Sequence, residues 1–230
     1  MSCMTFTLQA GGKEVPLTLE YERVFAIGYA GRNIEKTMEH IKELERDLGV
    51  PSPKKIPTIF QCGNYVLTQE KDLAFLGEKT CGEVEYVIVM KDGKIYIGLG
   101  SDHTDRELEA QSVPKAKQIC PKPICPVLWD YEEMKDHWDD VDLNSWQTVD
   151  GREVPYQKGK LADILPVETI LKELKDRVGD IDNCVIFSGT VPVLDGFRYG
   201  SNFRYEMVDE VLGRKLTSDY NVIVISEEER

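Results

Sequence analysis

The chain has 230 residues, with 28 lysines and arginines against 41 aspartates and glutamates, a formal net charge of −13 and a hydrophobic fraction of 41%. That balance argues against nucleic acid and anionic membrane as partners, because both are held by positive charge, and the apolar content suffices for a folded core. No stretch approaches the roughly 20 apolar residues of a membrane span, and the opening MSCMTFTLQAGGKEV lacks the basic-then-apolar pattern of a secretory signal. A cytoplasmic protein with a small ligand and reduced cysteines is therefore expected.

In chain order, MTFTLQ, VPLTLE and RVFAIGY alternate in the manner of strands, with Gly11 and Gly12 as the first turn. Ile34, Met38, Ile41, Leu44 and Leu48 then recur on one helical face, which predicts a helix over 33–48 closed by Gly49. After the proline-punctuated VPSPKKIP, TIFQC and YVLTQ read as short strands, and EVEYVIVM, KDG and KIYIGLG as a hairpin. Prolines 114, 121, 123 and 126 predict a loop over 112–128 beyond a short helical turn in VPKAKQ. YEEMKDHWDDV reads as a short acidic helix or loop, LNSWQTV and VPYQKG flank the turn DGR, and PVETILKELKDRVG is a helix from Pro166 to Gly179. NCVIFSG, FRYEMVD and LTSDYNVIVI are strands again. With no repeat and no linker, the expectation is one β-rich α+β domain over 1–230. Strands and a helix that could act as a lid fill 1–50, and a β core runs from 55 onward.

The strand EVEYVIVM is apolar on both faces from Tyr86 onward, yet places Glu83 and Glu85 on one face at its start. Two carboxylates about 7 Å apart along a strand, beside a core, call for compensation. Asp102 stands just after KIYIGLG, and the hairpin brings the end of that strand beside the start of the other. Three carboxylates without cysteine suit a hard cation, Mg²⁺ or Mn²⁺, with Ca²⁺ as a crystal substitute; the alternative is a solvated strand end followed by a surface turn. Cys120 and Cys125, in CPKPIC, lack the second Cys/His pair of a zinc site. His103 either backs the cation or lies at the surface, and His137 reads as structural.

These residues also resemble a known family. E-x-E on a strand (Glu83-Val84-Glu85) is followed by Asp102-His103-Thr104-Asp105-Arg106-Glu107-Leu108-Glu109, by lysines before a proline-rich segment (KAKQICPKPICP), and by VIFSGTVP with Gly189, Thr190 and Pro192. That order resembles the fumarylacetoacetate hydrolase superfamily, from about residue 24 onward, and within it a branch carrying GSDHTDR. The resemblance implies a mixed β-sheet/β-roll fold with peripheral helices, and a homodimer. It implies a metal on Glu83, Glu85 and Asp102, with substrate contacts from Lys115 or Lys117, Thr190 and Arg106. The implied activity is a divalent-metal-dependent hydrolase that cleaves a C–C bond in an acylpyruvate-like or other 2-oxo or β-diketo acid, through an enolate stabilised by the cation. A hydratase, decarboxylase or tautomerase of 2-oxo acids, or a non-enzymatic ligand-binding homologue, is the alternative. Members also carry G-R-N and then H-x-x-E, a pair that activates water; here Gly31-Arg32-Asn33 precede His40 and Glu43, with three more intervening residues than the family has. His40 and Glu43 equally fit the polar face of an amphipathic helix.

Overall fold

Period-two patterning sorts the longer strands of this chain into two sheets. The structure, a computed structural model, describes residues 1–48 and 52–226, and of residues 40, 44, 47 and 48 the backbone alone. Strands β1 (Ser2–Ala10), β2 (Lys13–Tyr21) and β3 (Arg23–Gly28) precede helix α1 (Ile34–Leu48). Next come β4 (Thr58–Cys62), β5 (Asp72–Leu76) and the hairpin of β6 (Val84–Lys91) and β7 (Lys94–Ser101). The one-turn helix α2 (Arg106–Glu109), α3 (Val113–Ile119) and β8 (Val127–Asp130) follow. The chain continues through β9 (Asp142–Val149), β10 (Arg152–Lys160), α4 (Val167–Val178), β11 (Cys184–Phe187), β12 (Asn202–Asp209) and β13 (Arg214–Ile225).

One sheet has eight strands in the order β2-β1-β8-β7-β6-β11-β3-β4, and the other has five in the order β10-β9-β12-β13-β5. Both are mixed: β1 runs parallel to β8, β11 to β3 and β13 to β5, while the remaining neighbours are antiparallel. The expected β-rich architecture with peripheral helices is what the chain forms.

Strand β6 lies at the centre and is buried from Val84 to Met90. Its side chains go to two different cores. Val84, Tyr86, Ile88 and Met90 join Trp129, Leu143, Leu174 and Phe203, whereas Val87 and Val89 join Phe6, Leu19, Val24 and Leu128. Each such side chain contributes about 1.5–3 kcal/mol by leaving water, so a carboxylate in this strand must find compensation nearby. The hairpin turns at Asp92 (φ 51°) and Gly93 (φ 73°), the two positive φ values of a type I′ turn.

Helix α4 buries Val167, Ile170 and Leu174 and stops at Gly179, whose φ of 81° suits glycine. Helix α1 buries Thr37 and Ile41 but leaves Ile34 and Met38 exposed; Gly49, its expected cap, lies outside the described residues. One local expectation fails. YVLTQ holds a 3-10 turn over Asn64–Val66 and a two-residue strand, Leu67–Thr68, instead of a full strand. The helical turn expected in VPKAKQ is α3, with Pro114 in its first turn, where no backbone N–H is needed; β8 begins at Val127, within the expected loop.

Candidate active site

The β6–β7 register pairs Val84 with Ser101, and the Asp102 amide donates to the Glu83 carbonyl at 3.0 Å, so the hairpin sets Asp102 beside Glu83. Glu83, Glu85 and Asp102 each offer an oxygen, and these oxygens lie within 4.8 Å of one another. Among the described residues, this is the group of acidic, histidine or cysteine side chains close enough to share an ion. Glu85 and Asp102 are buried and Glu83 is partly open, which puts the approach on the Glu83 side.

Three cations surround the acids. Lys117 Nζ lies 2.6 Å from Asp102 Oδ2 and 3.2 Å from Glu83 Oε2. Lys122, fully buried, places Nζ 2.8 Å from Asp102 Oδ1 and donates to the His103 carbonyl at 2.5 Å. Arg106 lies 3.1 Å from Glu83 Oε1 and 2.8 Å from Glu109, donates to Cys81 Sγ at 3.0 Å, and stacks on Phe197 with 4.4 Å to the ring centroid. Burial by itself would raise the Asp102 carboxyl, but the ammonium groups of Lys117 and Lys122 outweigh it and hold it at about 2. Glu83 is lowered in the same way, burial being outweighed by Lys117 and Arg106. Among the described residues Glu85 has no cation in direct contact. Its Oε2 accepts the Gly189 amide at 2.9 Å, while burial, and then the charge of Asp102, pushes it well above the usual carboxylate range. Negative charge is thus in excess at Glu85, where a bound cation would be worth most.

Gly189 approaches Glu85 at φ 97°, and a Cβ there would lie 2.7 Å from the Cβ of Ala30, so glycine is required. Thr190 donates its hydroxyl to the Val84 carbonyl at 2.6 Å and accepts from Gln157 Nε2 at 2.7 Å, bracing β6 between the two glutamates. Gln157 Oε1 in turn accepts the Val84 amide at 3.0 Å.

The structure thus brings Glu83, Glu85, Asp102, Arg106 and Lys117 together, with Thr190 against their backbone. It separates the two lysines left open by the sequence, since Lys115 is exposed and Lys117 buried. Asp105 caps α2 by accepting from Glu107 and Leu108 amides. Arg32 pairs with Asp139 at 2.7 Å and donates to the Ile164 carbonyl, and Asn33 Oδ1 accepts the Lys36 amide to start α1. Glu43 is exposed on α1; the side chain of His40 lies outside the described residues. His137 bonds Asp209 at 2.9 Å. Sequence reasoning missed Lys122, although it stands in the proline-rich segment beside Lys115 and Lys117, and it missed Gln157, for which no local signal exists. A cleft of ≈ 500 Å³ lined by Arg32, Tyr131, Trp138 and Glu168 includes none of the triad.

Solved structures with the same architecture include the apo form of 2-keto-3-deoxy-D-arabinonate dehydratase, at TM-score 0.64 and 18% identity over 92% of this chain and 77% of that one. The protein Cg1458 matches at TM-score 0.64 and 16% identity over 94% of this chain and 84% of its own. The dehydratase complexed with magnesium and 2,5-dioxopentanoate matches at 0.62 and 19%, over 90% and 74%. At such identities the likeness shows the fold, which is fumarylacetoacetate hydrolase-like. No curated protein matches the sequence. Residues 27–220 match the family described as "Protein of unknown function (DUF2848)", and the chain belongs to that family.

Proposed function

We propose that the protein is a divalent-metal-dependent lyase acting on a small anionic 2-oxo acid, in the GSDHTDR-bearing branch of fumarylacetoacetate hydrolase-like proteins. The observation that carries the reading is the buried triad of Glu83, Glu85 and Asp102. Its donors are oxygens, as Mg²⁺ and Mn²⁺ prefer. The residues fit such an ion: three carboxylate oxygens converge within 4.8 Å, and among the described residues no cation touches Glu85, whose carboxyl is pushed well above the usual range by burial and then by Asp102. A solved neighbour complexed with magnesium and 2,5-dioxopentanoate supports the same ion and substrate class. When bound, the ion would supply Lewis-acid stabilisation of the negative charge that grows on the 2-oxo oxygen as a proton leaves C3.

The chain's own groups bind and orient. Lys117 stays protonated, its pairing with Asp102 and then Glu83 outweighing burial, and offers a positive charge to the substrate carboxylate. Arg106 fixes Glu83, and Thr190 and Gln157 fix the strand between the glutamates. Hydrolysis of a C–C bond would need an activated water as well. At the spacing from Asn33 where the family has its histidine stands Thr37, buried and bonded to the carbonyls of Gly31 and Asn33. That favours elimination over hydrolysis, and a hydrolytic reaction would have to run through His40 and Glu43.

The test combines Mn²⁺ titration by calorimetry with a panel of 3-deoxy-2-oxo acids and acylpyruvates. We expect Mn²⁺ binding that is lost in Glu83→Ala/Glu85→Ala, and dehydration of a 3-deoxy-2-oxo acid that survives His40→Ala. Wild type with no more Mn²⁺ affinity than the double variant would sink the metal reading. Acylpyruvate cleavage abolished by His40→Ala would replace the lyase by the hydrolase.

A further inference from the structure

Behind the triad a buried chain of hydrogen bonds links the backbone of one carboxylate to the neighbour of another. The Glu83 amide donates to Ser101 Oγ at 3.3 Å, Ser101 Oγ lies 3.0 Å from Tyr220 Oη, and Tyr220 Oη lies 2.7 Å from His103 Nδ1. All three side chains are fully buried. Ser101 ends β7, His103 directly follows Asp102, and Tyr220 comes from β13 in the other sheet. Phe75 of β5 stacks on the imidazole with centroids 3.8 Å apart. Room for the tyrosine hydroxyl is made by Gly82, where a Cβ would sit 2.7 Å from it.

We propose that Ser101, Tyr220 and His103 are positioning residues for the cation-binding carboxylates, and that the second sheet, through the Tyr220 hydroxyl, sets the spacing of Glu83 and Asp102. The inference rests on the metal reading of that site. Three carboxylates crowded together repel and would drift apart unless their backbones were held. Here the Glu83 amide is tied to Ser101, and His103 is clamped by Tyr220 on one side, by Phe75 on its face and by Lys122 at its carbonyl. The donors and acceptors balance with a neutral imidazole: Ser101 Oγ accepts from Glu83, and the hydroxyl protons can run along the chain in either direction. Among the described residues imidazole Nε2 is buried without a hydrogen-bond partner, so the relay uses the δ nitrogen alone. Asparagine places a polar atom at that δ location, and alanine does not.

The experiment titrates Mn²⁺ into wild type, Tyr220→Phe, His103→Ala, His103→Asn and Tyr205→Phe, with a thermal melt of each. Tyr205 is a buried tyrosine with its ring 6.1 Å from that of Tyr220, and serves as the control for losing a core hydroxyl. Removing an outer partner of a metal ligand typically weakens metal affinity about 10–100-fold, which is the loss expected in Tyr220→Phe and His103→Ala. His103→Asn restores most of that affinity, and Tyr205→Phe keeps it. Should Tyr220→Phe not fold, the comparison of alanine with asparagine at 103 decides. A Tyr220→Phe protein that melts earlier but binds Mn²⁺ like wild type would overturn the relay and leave the metal site standing, as would equal affinity in His103→Ala and His103→Asn. Absence of Mn²⁺ binding in wild type would overturn both.

Discussion

Replacing Lys122 by methionine probes the ion pair on which Asp102 depends. Lys122 is fully buried and 2.8 Å from Asp102 Oδ1; methionine keeps the apolar stem and removes the charge. Breaking a buried pair from one side costs about 3–5 kcal/mol, and the lower end applies because Lys117 still faces Asp102 at 2.6 Å. In a chain of this size about 1 kcal/mol moves Tm by ~2–4 °C, so differential scanning calorimetry at pH 7 should show a fall of ~6–12 °C. The pH dependence has a definite sign. The Asp102 carboxyl sits at about 2 in the folded protein against an ordinary 3.8, so its contribution is complete above 3.8 and is lost as pH falls through about 2. The gap between wild type and Lys122→Met should therefore narrow between pH 4 and pH 2. Adding Asp102→Asn to the variant should recover stability, because the uncompensated charge is gone. A Lys122→Met protein melting at the wild-type temperature at pH 7 would refute the reasoning.

Glu85→Gln should behave in the opposite sense. Because burial and Asp102 raise the Glu85 carboxyl in the fold, the metal-free protein loses stability as pH rises above the ordinary 4.5, and the neutral amide removes that loss. Its metal-free Tm at pH 8 should exceed wild type while Mn²⁺ binding disappears; an unchanged or lower Tm counts against the assignment. Lys117→Ala should abolish turnover of the 2-oxo acid and Lys115→Ala should leave it intact, and the reverse pattern in a steady-state assay would displace Lys117. Thr190→Val strands the Val84 carbonyl, while Gln157 Nε2 keeps the Val191 carbonyl at 2.7 Å, a loss of about 1–3 kcal/mol read as a lower urea midpoint; an unmoved midpoint would show the hydroxyl to be idle.

The hairpin and the triad were legible because both depend on near neighbours. Alternation assigns Glu83 and Glu85 to one face, the Asp-Gly turn fixes the pairing, and together they bring Asp102 back to Glu83. Tyr220 and Gln157 were not legible, since each reaches the site through sheet pairing over long sequence separations. Lys122 was overlooked for a different reason: a lysine is ordinarily read as solvated, and only the fold shows that it ends against Asp102. Cys120 and Cys125 proved to be buried free thiols, Cys120 pushed up to about 12 by burial, so CPKPIC owes its cysteines to the core.

The turn at Asp92 and Gly93 works as a ruler. From it the pairing Lys91 with Lys94 counts down residue by residue to Val84 with Ser101. The eight residues of β6 carry that count over about 27 Å, at ~3.4 Å per residue, to the carboxylates. One inserted residue would slide β7 against β6 and turn its alternate side chains to the opposite core. Surface loops usually tolerate changes of length; this exposed one cannot, because the spacing of the distant carboxylates is measured from it.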